Sequence, residues 1–155
     1  MSATGLDVFD KTLQTTHLWL NQIMDVTGPD KQVAWHVLGA VLRTLRDRVP
    51  LPVAVHLGAE LPLLVRGIYY DQWHPAGKPG GERRAEEFVA NVAAGLRSNR
   101  PVAPESAARA VFSTIGHHVS SGQVEKIRQS LPADIRRLWP EPTLTGARGE
   151  PERVA

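Results

Sequence analysis

The sequence predicts an all-α protein made of two similar helical units. Three observations carry that expectation. Apolar residues recur at spacings of three and four along most of the chain, and no stretch alternates with the period of two that a strand needs. Residues 41–69 match residues 111–139 at a constant offset of 70, without a gap. Val41 pairs with Val111, Leu45 with Ile115, Leu57 with Ile127, Pro62 with Pro132, Arg66 with Arg136 and Tyr69 with Trp139. Pro and Gly fall between the periodic stretches, where they end helices. Such a repeat is one helical unit used twice. Each unit is too small to bury its own stripe, so its neighbour completes the core. The expected arrangement is two units of about four helices each, the last two short, packed face to face about a pseudo-twofold axis.

The first helix is expected over Leu6 to Met24. Phe9, Leu13, Thr16, Leu20 and Ile23 draw one stripe on it, Trp19 widens that stripe, and Thr27-Gly28-Pro29 ends it. The second runs from Asp30 to Arg48. Asp30 suits the N-cap, because its carboxylate can accept an otherwise unpaired backbone N–H. Val33, Val37, Val41, Leu45 and Val49 hold a spacing of four. Pro50 and Pro52 break the helix and restart the chain as a short third one with Val53, Leu57 and Leu61. Pro62 marks a kink or the first turn of a fourth, which carries Val65, Ile68 and Tyr69 and ends near Trp73.

His74 to Gly81 reads HPAGKPGG, the expected linker. A helix from about Glu82 to Leu96 then carries Phe88, Val92 and Leu96. Phe88 and Val92 match Phe9 and Leu13, but at an offset of 79, so the second unit has lost residues around its first turn. Arg100-Pro101 to Pro104 is a turn. A helix from Glu105 to Val119 carries Ala108, Val111, Phe112 and Ile115. Ser120 or Ser121 caps the next, with Gln123 three residues after Ser120 as in a capping box. Val124, Ile127 and Leu131 form its stripe, and Pro132 to Trp139 closes the unit. The boundaries expected are therefore a duplicated domain over 1–141 (units at 6–73 and 82–139, linker at 74–81) and a polar, Pro/Gly-rich, disordered tail over 142–155.

With these elements in place, the stretch HVLGAVLRTLRDRVPLPVAVHLGAELPLLVRGIYYDQWHP, His36 to Pro75, resembles the bacterial family called domain of unknown function 2267. So do Glu86-Glu87-Phe88 and the Leu131-Pro132 to Leu138 close. The resemblance covers Leu6 to Pro140. It implies an all-helical, duplicated, cytoplasmic protein with no assigned activity, and it carries over no catalytic residues.

The residues themselves exclude several chemistries. There is no Cys, which removes disulfides, thiolate catalysis and Cys-based metal sites. The net charge is only +2, carried by 14 Arg against 4 Lys. That balance gives no strong field toward nucleic acid or membrane, and the Arg bias is first of all compositional. Met1 to Asp10 lacks a secretory pattern, and no apolar run approaches the ~20 residues of a membrane span, so a cytoplasmic location is expected.

None of the six His (17, 36, 56, 74, 117 and 118) stands four residues from another, the spacing that puts two ligands on one helix face. His117 and His118 project about 100° apart on a helix. They are expected to be solvated near a helix C-terminus, where the dipole favours them. Glu60, Glu82, Glu86, Glu87, Glu105 and Glu125 all lack a His three residues on, so the Glu-x-x-His pair of dimetal bundles is absent. No Gly-x-Ser-x-Gly or phosphate loop occurs. A helix–turn–helix reading meets a candidate recognition helix, Val53 to Leu61, without Arg, Asn or Gln; Gln123, Lys126, Arg128 and Gln129 of the second unit would serve better. No cofactor or metal is expected.

The unusual local feature is Tyr69-Tyr70-Asp71-Gln72-Trp73-His74, three aromatics within five residues at the seam between the units. Tyr69 aligns with Trp139 as a core cap. Tyr70 and Trp73 stand one helix step apart and suit either a wedge between the halves or a partner surface. With His74, Arg83 and Arg84 they make the candidate partner surface. The expected function is a non-enzymatic helical interaction module of a bacterial cytoplasm, with a stress response as one setting that no residue specifies. Its partner is an unidentified protein or a second copy of the chain, since duplications of this kind descend from homodimers. A nucleic-acid- or ribosome-associated protein using the Arg-rich faces is the alternative. A ligand-binding or catalytic bundle is the third reading, and it requires a pocket with convergent polar groups.

Overall fold

The computed structural model describes residues 2–96 and 102–140. Among the described residues there are eight helices and no strand. They are α1 (Asp7–Thr27), α2 (Lys31–Arg48), α3 (Leu51–Glu60), α4 (Leu63–Tyr70), α5 (Ala85–Gly95), α6 (Pro104–His118), α7 (Ser121–Ser130) and α8 (Ala133–Arg136).

Local chemistry sets most boundaries. Gly28 ends α1 at φ 103°, a value that costs glycine nothing. Asp30 caps α2: its Oδ1 accepts from the N–H of Gln32 at 2.9 Å and of Val33 at 3.4 Å. Pro62 stands just before α4, which stops at Tyr70 rather than Trp73. Helix α5 begins at Ala85, three residues later than its apolar pattern predicts. Two carboxylates fix that start: Glu87 within α5 accepts from the Arg84 N–H at 3.2 Å, and Asp134 of α8 accepts from the Ala85 N–H at 2.6 Å. The expected capping box at α7 does not form. Ser120 Oγ and N–H both donate to Glu60 at 3.1 Å, and Gln123 turns inward and is buried. The turn expected at Arg100-Pro101 lies in part, and the tail at 142–155 wholly, outside the described residues.

Helices α2 and α6 cross at the centre. Helix α1 packs on α2 and α6, and α5 packs on α6 and α2. Helix α3 packs on α7, while α4 and α8 lie on α1 and α5 respectively. One continuous core results, with Ile23, Leu38, Leu42, Leu57, Tyr69, Phe88, Phe112 and Ile115 all fully buried. Burying a side chain of this size stabilises the fold by roughly 1.5–3 kcal/mol.

The two matching stretches also make matching bonds. Arg66 donates from Nε to the Gly58 carbonyl at 2.8 Å and from Nη2 to the Leu61 carbonyl at 2.9 Å. Arg136 donates from Nε to the Arg128 carbonyl at 2.8 Å and from Nη2 to the Leu131 carbonyl at 3.0 Å. In each case a guanidinium bonds carbonyls at the end of a ten-residue helix, where the backbone leaves acceptors over.

Helix α1 departs from expectation. Its stripe was expected to be buried throughout, and Thr16, Leu20 and Ile23 are. Phe9 is 50% exposed and Leu13 39% exposed. The helix is longer than the face that covers it, so its first turns overhang the core.

Candidate functional site

The aromatic cluster at the seam lies within the first half of the chain. Tyr69 is fully buried, and its hydroxyl donates to the Ala54 carbonyl at 2.5 Å. Burial pushes its phenol far above the ordinary range, so it stays neutral. Tyr70 lies over Gly58 of α3, where any Cβ would run into its phenol, and its hydroxyl donates to the Val55 carbonyl at 3.3 Å. Trp73 packs 5.5 Å from Tyr70, with the Arg46 guanidinium 5.8 Å from its ring centre. Arg46 is itself buried and donates to the carbonyls of Tyr69 and Asp71. Tyr70 and Trp73 are therefore half-buried against α3 and α2.

The other members of the expected partner surface, His74, Arg83 and Arg84, are exposed. Arg84 pairs with Glu86 at 3.2 Å, and the backbone N–H groups of Arg83 and Arg84 donate to Glu87. Among the described residues no bond or ring contact joins Tyr70 or Trp73 to either arginine. The segment between them is tied to α2: Gly80 N–H donates to the Asp47 carbonyl at 2.9 Å, and Arg48 Nε donates to the Glu82 carbonyl at 2.5 Å.

A second constellation escaped the sequence reading. His118 lies flat on Trp19, ring centres 5.0 Å apart and planes at 19°. Gln22 of α1 clasps both histidines: its amide donates to His117 Nδ1 at 3.2 Å, and its oxygen accepts from His118 Nε2 at 2.7 Å. The pair is exposed in the last turn of α6, as expected, and also bridges to α1 through Gln22. Partial burial and then the charge of His117 hold His118 below the ordinary imidazole pKa. Among the described residues no three His, Asp or Glu converge as metal ligands would.

Beside this clasp a cleft of about 310 Å³ opens between α1 and the α3–α4 junction. Val8, Thr12, Trp19, Leu61, Pro62 and Leu63 form its walls, with Lys11 and Glu60 also lining it. Thr12 Oγ1 accepts from the Leu64 N–H at 3.3 Å, which holds α4 against α1. Val8, Leu63 and Leu64 stand 53%, 51% and 40% exposed, so the lip is apolar. At about 100° per residue, Val8, Thr15 and Trp19 lie on one side of α1's buried line, and Leu6, Phe9 and Leu13 on the other. One helix thus carries an apolar ridge on one flank and an apolar cleft on the other. The sequence signal for it was the apolar density of Leu6 to Leu13, read as core because spacing alone cannot say what covers a stripe.

Among the described residues no helix is long and apolar enough to cross a membrane. A family model described as "Uncharacterized conserved protein (DUF2267)" matches residues 16–138. No curated protein matches the chain.

Proposed function

The chain belongs to this DUF2267 family, and we propose that it is a non-enzymatic helical interaction module that acts by pairing with a second copy of itself. The family description names no activity, so the proposal rests on the surface. The observation that carries it is the overhang of α1, where Leu6, Phe9 and Leu13 stand exposed beside an apolar cleft. Exposed apolar side chains gathered at one end of a bundle mark an interaction site.

A second copy fits because one molecule offers both halves of the contact. The ridge of Leu6, Phe9 and Leu13 is a set of knobs, and the cleft lined by Val8, Thr12, Leu61 and Leu63 is a hole of side-chain size. In a twofold dimer each copy's ridge enters the other's cleft, the self-complementary condition of an isologous interface. Sedimentation equilibrium at tens of micromolar tests it. The expected result is a dimer for the native chain and a monomer for Phe9→Glu and Leu13→Glu, with unchanged far-ultraviolet circular dichroism at room temperature because both side chains stand outside the core. A native chain that is monomeric over this range, or a dimer that survives both changes, removes the proposal.

A further inference from the structure

The two matching halves differ at several positions that gather in one place, and that difference makes a site. In the first half, Gly39, Gly58 and Gly67 stand where the second half has Arg109, Arg128 and Arg137. Tyr70, which lies over Gly58, has Pro140 as its counterpart. Arg46, which fills the space beneath Tyr69, has Gly116. The first half is closed at this place by two large side chains. The second half has lost both fillers and gained three guanidiniums.

The result is an open groove on the outer side of α6, α7 and α8. One cleft of about 330 Å³ is lined by Arg109, Arg128, Arg136, Arg137, Trp139 and Pro140. A second, of about 360 Å³, shares Arg128, Trp139 and Pro140 and continues past Gly116 to Ser113 and His117. Trp139 stacks on Phe112 at 4.4 Å, which makes the shared wall rigid.

The charges of the first cleft are incompletely matched. Glu105 binds Arg109 at 3.0 Å, Asp134 binds Arg137 at 2.5 Å, and Glu125 stands 3.9 Å from Arg128. Arg136 gives its bonds to carbonyls. Among the described residues, four guanidiniums line this cleft and the three carboxylates paired with them do not. The Arg128 charge has only the long contact to Glu125, and an anion in the cleft would offset it.

We infer that this groove binds the phosphate group of a small phosphorylated molecule. The tetrahedral oxyanion sits among Arg109, Arg128, Arg136 and Arg137, which line the cleft. The rest of the molecule lies along Trp139 toward Gly116. Guanidinium geometry suits phosphate oxygens, and two connected clefts of this size hold a metabolite rather than a polymer strand.

Calorimetric titration of the full chain with pyrophosphate at low salt tests the inference. One saturable site is expected. Binding should weaken by about tenfold or more in Arg128→Gln and in the double variant Arg109→Gln, Arg137→Gln, and stay native in Arg83→Gln. Thermal midpoints verify that each variant is folded. Should one cleft variant fail to fold, the other still decides. No binding at millimolar pyrophosphate, or equal weakening by Arg83→Gln, overturns it. So does a chain that binds duplex RNA but not pyrophosphate.

Discussion

His118 couples a titratable ring to the contact between α1 and α6. It stacks on Trp19, donates to Gln22 and neighbours His117, with Lys11 and Glu60 on the same cleft. Its folded pKa is depressed from the ordinary 6.5, chiefly by partial burial. The unfolded chain then binds more protons between the two pKa values, so stability rises with pH across that window. The contribution is complete above about pH 6.5 and is lost as pH falls toward the folded value. His118→Phe keeps a ring over Trp19 and removes the titration. Its thermal midpoint should fall less than that of the native chain between about pH 7 and about pH 5.5. Parallel curves for the two proteins would show that His118 does not sense pH. At this scale the sequence was legible where one residue acts on its own backbone neighbours. Asp30 could be assigned as a cap, because the groups it satisfies lie two and three residues away. The Gln22 clasp could not, because its partners lie 95 and 96 positions off and only the packing of α1 on α6 brings them together.

Helices α3 and α7 are ten residues each, too short to persist alone in water. Each is held along one side by the other and closed at its C-terminal end by the guanidinium of Arg66 or Arg136. The matching of these arginines was visible in the sequence, and so were the Leu-Pro pairs that end both helices. Their role was not, since a side chain that folds back on the preceding helix leaves no periodic trace. The same limit applies in part at α5, where Glu87 closes the first turn locally and Asp134 adds a bond from the far end of the second half. Arg66 bonds the carbonyls of Gly58, Ala59 and Leu61, so its removal strands the end of α3. Charge-assisted bonds of this kind are each worth about 1.5–3 kcal/mol, less where water can replace them. Arg66→Met, which keeps the apolar stem, should cost about 2 kcal/mol in urea unfolding. A loss under about 0.5 kcal/mol would reduce the guanidinium to a surface group.

Across the whole molecule, each half relies on the other for cover. The first helix of one half packs on the second helix of the other: α1 on α6, and α5 on α2. The buried faces of α2 and α6 meet at the centre, so separating the halves would expose Leu38, Val41, Leu42, Val111, Phe112 and Ile115 to water or leave them loosely packed. The matching stretches made this interdependence legible, because a stripe of spacing four on a segment of this size needs an outside surface to bury it. What the repeat concealed was the inequality of the halves, which lies in the positions where matching fails: Gly58 against Arg128, and Tyr70 against Pro140. Interdependence has a measurable consequence. A shared core unfolds as one unit, so urea transitions followed by far-ultraviolet circular dichroism and by tryptophan fluorescence should coincide. Trp35 and Trp73 report on the first half, Trp19 on its contact with His118 and Trp139 on the second half, so substituting both Trp19 and Trp139 by Phe leaves a probe of the first half. Its midpoint should still match the circular dichroism midpoint of the same variant. Two separated transitions would mean that each half keeps a core of its own, and that the crossing of α2 and α6 joins two domains.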